Sequence, residues 1–160
     1  MGKGERRYAE GTTVGASHTK YEIEMVLSDY GATHIGTFNC PDEAKIVFRF
    51  GNRNFLIPIP IPQVNDPEFT HTSGQGRKRD QRDTERAWQQ EVDRRWRCLL
   101  ITVKSSIELC KMGIFRFEEI FLAFTALPGG KTVGQALEGQ IEQACETGQP
   151  LMLTSGGRSE

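Results

Sequence analysis

The chain of 160 residues carries 20 basic and 21 acidic side chains, a formal net charge of −1, and 37 % hydrophobic residues. This length fits one domain with its own hydrophobic core, and no apolar run approaches the 18 residues of a membrane-spanning helix. The four cysteines are scattered and none has a partner at the spacing of a zinc site, which is typical of a reducing compartment. We therefore expect a cytoplasmic protein that is neither exported nor inserted in a membrane.

The first predicted element is a short amphipathic helix. After an expected flexible tail over residues 1–16, Thr19 and Glu22 have the spacing of a capping box, which would start the helix. Apolar residues then recur every three or four positions, and Gly31 supplies the left-handed residue that ends a helix.

Three β-strands are predicted next, at residues 34–38, 44–50 and 55–59. Apolar and charged residues alternate in the second strand, so one face of an antiparallel meander would be buried and the other open to water. Proline has no backbone N–H to donate, and we therefore expect three prolines to end the third strand: Pro58, Pro60 and Pro62.

The remaining part of the chain is predicted to be mostly helical. Residues 63–80 are polar and rich in glycine, which favours a mobile loop. Apolar residues at steps of three or four then predict a long helix over residues 83–112, with Trp88 and Trp96 on its core side. Two shorter helices would follow, one rich in phenylalanine and one started by a capping box of Thr132 and Gln135.

Together these elements predict an α+β fold. It would have an N-terminal helix with a three-stranded antiparallel meander, then a long helix and two shorter helices. We expect one domain over residues 17–154, with a frayed tail at 155–160.

The long helix has a biased charge. Residues 77–97 contain eight basic and five acidic side chains, so this segment carries +3 while the rest of the chain carries −4. On a helical wheel one group of arginines lies away from the apolar side. Its members are Arg79, Arg82, Arg86, Arg94 and Arg97. Because arginine donates paired hydrogen bonds to phosphate and releases counterions, this face predicts a nucleic-acid-binding surface.

The same arginines have an alternative interpretation as a solvated helix face. Three pairs of opposite charge have the spacing of intrahelical ion pairs, which would neutralise the face. These pairs are Asp93 with Arg97, Glu91 with Arg95, and Glu91 with Arg94.

A second motif lies at residues 125–132, which differ from the phosphate-loop pattern only in having Thr125 at the first position. A phosphate loop follows a strand, whereas a helix is predicted here, which argues against a nucleotidase. Gly130, Lys131 and Thr132 could instead form an anion site at a helix N-terminus. The alternative is a simple β-turn followed by an N-cap.

The sequence shows no catalytic signature. His18, His34 and His71 fall in different predicted elements, and none stands beside a nucleophile motif. We therefore expect a non-enzymatic protein with no catalytic residues, no cofactor and no bound metal.

Several short segments carry a resemblance to a known family: Thr13-Val14, Tyr30-Gly31-Ala32, residues 96–100, Phe117-Glu118, Phe121-Leu122 and residues 127–133. Through them the chain resembles a family of uncharacterised bacteriophage and prophage proteins over residues 8–133. The resemblance implies a phage protein acting in the bacterial cytoplasm, and the family has no assigned activity.

Two functions remain open at this point. One is a phage accessory protein that binds nucleic acid through the arginine face. The other is a binding module that antagonises a host defence protein or captures a small anionic ligand. The type of nucleic acid and the oligomeric state are not predicted.

Overall fold

The computed structural model describes residues 15–40 and 42–151, and within them it has the predicted α+β fold. In chain order the elements are α1 (Ala16–Asp29), β1 (Thr33–Asn39), β2 (Glu43–Phe50), β3 (Arg53–Pro60), α2 (Pro67–Thr70), α3 (Gln81–Lys111), α4 (Phe117–Ile120), a 3-10 turn (Leu122–Phe124) and α5 (Val133–Thr147). The sheet is antiparallel in the order β1, β2, β3. One of its faces shares a single buried cluster with α1, α3 and α4.

Helix α1 begins at Ala16, three residues before the predicted capping box. Its first amide is satisfied from another element, because the backbone N–H of Ala16 donates to a carboxylate oxygen of Asp93 in α3 at 2.8 Å. Thr19 is fully buried inside the helix, so it does not cap it. The predicted end is confirmed, since Gly31 follows the helix with φ +106°.

The alternation of apolar residues in β2 and β3 produces the buried face of the sheet. Ile46 pairs with Ile57, and Phe48 pairs with Phe55; all four side chains are buried. Because side chains alternate between the two faces, Lys45 and Arg49 lie on the opposite face, as predicted.

Pro58 lies within β3 and Pro60 is its last residue, so the expected strand end was wrong for Pro58. The backbone N–H of Ile61 donates to Asp42 on the β2 side, whereas Asn54 accepts from Ala126 on the other edge. The backbone groups of successive residues in a strand point to opposite edges of that strand. The nitrogens of Pro58 and Pro60, which carry no hydrogen, therefore lie on the edge of β3 that faces away from β2. No hydrogen bond to the neighbouring strand is lost there.

Residues 63–80 contain more structure than their composition predicts. They include the one-turn helix α2, whose Phe69 is buried, and a β-bridge between His71 and Lys78. The exposed turn between the two bridged residues carries Gly74 and Gly76, both with positive φ. Mobility of this segment in solution stays a prediction.

Helix α3 spans 31 residues, or about 46 Å. Trp96, Leu100, Val103 and Ile107 are almost completely buried on its core side. Trp88 is half-buried and packs against this core, and its indole N–H donates to the carbonyl of Pro62 at 2.7 Å. The side chain of Asp80 caps the N-terminus, and Gly113 has φ +72° directly after the helix, as predicted.

The predicted phenylalanine-rich helix is shorter than expected, because α4 ends at Ile120 and a 3-10 turn follows. Its Phe117 is buried in an aromatic cluster, with ring centroids 4.4 Å from Phe50 and 4.5 Å from Phe121. Helix α5 starts with the predicted capping box of Thr132 and Gln135. Of the predicted tail at 1–16, residues 1–14 lie outside the described residues, as does the predicted tail at 155–160, whereas Ala16 already belongs to α1.

Candidate nucleic-acid interface

The side chain of Arg94 is bound by a carboxylate of its own helix. Its guanidinium group donates to both carboxylate oxygens of Glu91, at 2.7 and 2.6 Å. Arg95 donates to the same carboxylate at 3.0 Å and to the carbonyl of Pro60 at 2.5 Å. Burial alone would raise the pKa of Glu91, but the hydrogen bonds from both arginines lower it overall. Two of the three predicted intrahelical pairs are thereby confirmed.

The third predicted pair, between Asp93 and Arg97, was wrong. Asp93 instead accepts from Ala16 and from the side chain of Gln89. Arg97 reaches across to Glu22 of α1 at 3.4 Å. Lys104 donates to the same Glu22 at 2.9 Å, and this hydrogen bond is the main cause that lowers the pKa of the Glu22 carboxyl. Arg97 therefore joins two helices of the fold.

Arg79 has a structural role as well. It precedes α3, and one nitrogen of its guanidinium group donates to the carbonyls of Glu68 and Phe69, at 3.0 and 2.9 Å. Both carbonyls belong to α2, which ends one residue later. Arg79 therefore satisfies carbonyl groups of a one-turn helix, and only part of its guanidinium group stays available to an external anion.

Arg82 and Arg86 differ from the other three predicted arginines. Both are exposed, and within the described part of the chain no hydrogen bond or ion pair involves either guanidinium group. They are four residues apart in α3, so they lie on the same side of the helix about one turn apart. Both can donate to an external anion without breaking a contact of the fold.

Two further basic residues were missed as site residues by the sequence reasoning. Arg77 and Lys78 are exposed, and their backbones are held by Thr72 and His71 across the turn that precedes α3. Neither side chain has a partner among residues 15–40 and 42–151. This adjacent basic pair is visible in the sequence, but the predicted arginine group begins at Arg79.

We call the exposed side chains of Arg77, Lys78, Arg82 and Arg86 the basic surface. It falls within ten residues of the chain. Three acidic residues lie within the same ten residues: Asp80 accepts from the backbone of Asp83, Glu85 accepts from Gln81 at 3.0 Å, and the side chain of Asp83 is exposed.

The residues of the predicted anion motif form the turn before α5 and the cap at its N-terminus. Thr132 is buried and its hydroxyl accepts from the backbone of Gln135, whose side chain accepts in return from the backbone of Thr132. Gly130 has φ +85° in the turn before it, and Lys131 is exposed. This arrangement is a turn followed by an N-cap. The side chains of Thr132 and Gln135 already cap the N-terminus of α5.

The three histidines do not form a common site. His18 lies 3.2 Å from Glu22, His34 contacts the hydroxyl of Thr33, and His71 contacts that of Thr70, so the three histidines lie in separate elements. Across the described ranges, no group of three or more metal-ligating side chains occurs. None of the helices in those ranges is long and apolar enough to cross a membrane.

Comparison with known proteins gives no relative: no family model, no curated protein and no solved structure matches this chain at a significant level.

Proposed function

We propose that the protein is a non-enzymatic accessory protein that binds nucleic acid through the basic surface at the N-terminal end of α3. In keeping with the family resemblance, we propose that it acts for a bacteriophage or prophage in the cytoplasm of the bacterial host.

The observation that carries this proposal is the difference between the arginines of one segment. Arg94, Arg95 and Arg97 are held by carboxylates of the protein, whereas Arg82 and Arg86 are exposed and lack such partners within the described residues. The guanidinium groups of Arg82 and Arg86 are therefore available to an external anion. Exposed arginines can instead displace counterions from phosphate.

The position of the basic surface adds support. It begins in an exposed turn and continues onto the first two turns of α3. The N-terminal end of a helix also carries a partial positive charge, which favours a phosphate, although Asp80 and Asp83 offset part of it.

The proposal is tested by the affinity of the protein for random single-stranded DNA as salt is raised. We expect binding that weakens steeply between about 50 and 200 mM salt, because each phosphate contact releases counterions. A protein that shows no binding at the lower salt concentration is not a nucleic-acid-binding protein of this kind.

A further inference from the structure

The face of the sheet opposite the core carries an exposed aromatic ring. Phe38 pairs with Lys45, and Lys45 pairs with Pro58, so these three residues form one row across the strands on that face. Phe38 is 56 % exposed, whereas the buried cluster of the sheet with α1, α3 and α4 lies on the other face. We call this second face, with Phe38 and its neighbours, the open sheet face.

The surface beside Phe38 is shallow and apolar. Gly36 lies on the same face two residues earlier, and a Cβ there would lie 3.4 Å from the Cε2 atom of the Phe38 ring, so the ring leans along the strand over the glycine. Val47 pairs with Gly36 and Leu56 pairs with Val47, and both side chains are only partly buried. A flat group can therefore approach the ring.

The open sheet face has an excess of positive charge. Among the residues that β1, β2 and β3 place on it, Lys45 and Arg49 are basic and Glu43 is the only carboxylate. Glu43 already pairs with Lys45 at 2.8 Å. The exposed guanidinium group of Arg49 donates to the carbonyl of Gly51 at 3.3 Å, and no carboxylate of the described residues pairs with it. An exposed ring next to cations is the combination that holds a single strand of nucleic acid, because bases stack on the ring and phosphates meet the cations.

The row that contains Phe38 lies at the end of the sheet nearer to the basic surface. It crosses β3 two residues before the end of that strand. From there the chain runs along α3 towards the start of the helix, because Pro60 is bonded to Arg95 and Pro62 is bonded to Trp88. The basic surface lies further in the same direction. Surfaces that bind single strands cover about 4–16 nucleotides, which is long enough to contact both places.

From these observations we propose that the open sheet face is the stacking part of the nucleic-acid interface. A base of a single strand stacks on Phe38, while phosphates of the same strand contact Arg49 and the basic surface. This inference rests on the proposed function and deepens it, because it assigns a single strand as the ligand. The bases of a duplex are stacked on one another, so they cannot lie on Phe38.

A second copy of this chain suits the open sheet face less well. Two such faces packed together would bring the arginines at position 49 against a surface whose only strand carboxylate, Glu43, is already paired. The contacts of the proposal are to bases and phosphates, which DNA and RNA share.

The probes are labelled strands of about 15 nucleotides: an oligothymidine, an oligouridine, an abasic strand with the same number of phosphates, and a duplex. We expect the full chain to bind the oligothymidine about tenfold more tightly than the abasic strand, since only the former has bases to stack. The same preference is expected for the oligouridine, and the tighter of the two shows which sugar the protein accepts better.

Three variants locate the stacking contact. Phe38→Ala should weaken the oligothymidine about tenfold and leave the abasic strand unchanged. It removes no charge, so the slope of log affinity against log salt should stay that of the wild type. Phe38→Trp keeps a ring and should keep the affinity. Phe115→Ala is the matched control, because Phe115 is 48 % exposed in the segment after α3 and should bind like the wild type.

The two proposals fail in different ways. Binding that shows no preference for bases, and no loss in Phe38→Ala, overturns the stacking contact and leaves the proposed function standing. Absence of binding to every probe overturns both. The stacking contact is also overturned if the duplex binds as tightly as the single strand, or if the chain sediments as a dimer that Phe38→Ala dissociates.

Discussion

The ammonium group of Lys20 lies 4.5 Å from the centre of the Trp96 ring. It also donates to the side chain of Asn39 at 2.9 Å, and partial burial lowers the pKa of Lys20. One side chain of α1 thus covers the central residue of α3 and reaches the end of β1. A cation held over an aromatic face is attracted to it, so this contact helps to fix the two layers of the domain.

Trp96→Ala should destabilise the protein by about 3–5 kcal/mol, since the side chain is almost fully buried and its removal leaves a cavity. Thermal or chemical denaturation measures this loss. Trp88→Ala is a suitable comparison and should cost less, because Trp88 is half-buried. A loss below about 1 kcal/mol for Trp96→Ala would mean that the ring is not part of the core in solution.

Glu91→Gln should lower the free energy of unfolding by about 1–2 kcal/mol at neutral pH. The variant removes the charge shared by Arg94 and Arg95, whose partly exposed side chains recover part of their hydration. The folded-state pKa of Glu91 is lowered, so its stabilising contribution is complete above the unfolded pKa of about 4.3 and is lost as the pH falls through the folded value. Denaturation of both proteins from pH 7 downward should therefore show their difference shrinking below about pH 4. A difference that grows in acid would contradict this ion-pair network.

Limited trypsin digestion should cut the described part of the chain first after Arg77 or Lys78. Both are exposed in the turn that precedes α3, whereas Arg79 is held by the carbonyls of α2. Mass spectrometry of the early fragments identifies the sites. If the earliest cut in this part of the chain falls within α3 or the sheet, residues 63–80 are as firmly held as the core.

Local sequence signals predicted most of the fold because the relevant interactions lie within a few residues. The alternation in β2, the left-handed glycines at 31 and 113, and the capping box at Thr132 are all of this kind. The start of α1 was misplaced because its first amide is satisfied by Asp93, 77 residues away in the chain. No local rule can detect such a cap.

The candidate site was predictable only in part for the same reason. A helical wheel places the arginines on a common side, but it contains no information on Glu22, which lies 75 residues from Arg97 and pairs with it. It also cannot show that Arg79 donates to carbonyls of α2. Of the five predicted arginines, the fold leaves Arg82 and Arg86 exposed and without a partner in the described residues.

The variant Arg82→Gln/Arg86→Gln tests the proposed function most directly. Glutamine keeps the helix propensity nearly unchanged, and neither side chain holds a contact of the described fold, so the melting temperature should stay close to that of the wild type. Arg53→Gln/Lys131→Gln is the matched control, because it removes two exposed positive charges outside the basic surface.

The measurement is the affinity for a short single-stranded oligonucleotide at several salt concentrations. If Arg82 and Arg86 each contact a phosphate, the double variant should bind more weakly, and the slope of log affinity against log salt should be shallower by about 1.4. The control should keep the wild-type slope. Equal slopes for the wild type and Arg82→Gln/Arg86→Gln would contradict nucleic-acid binding through the basic surface.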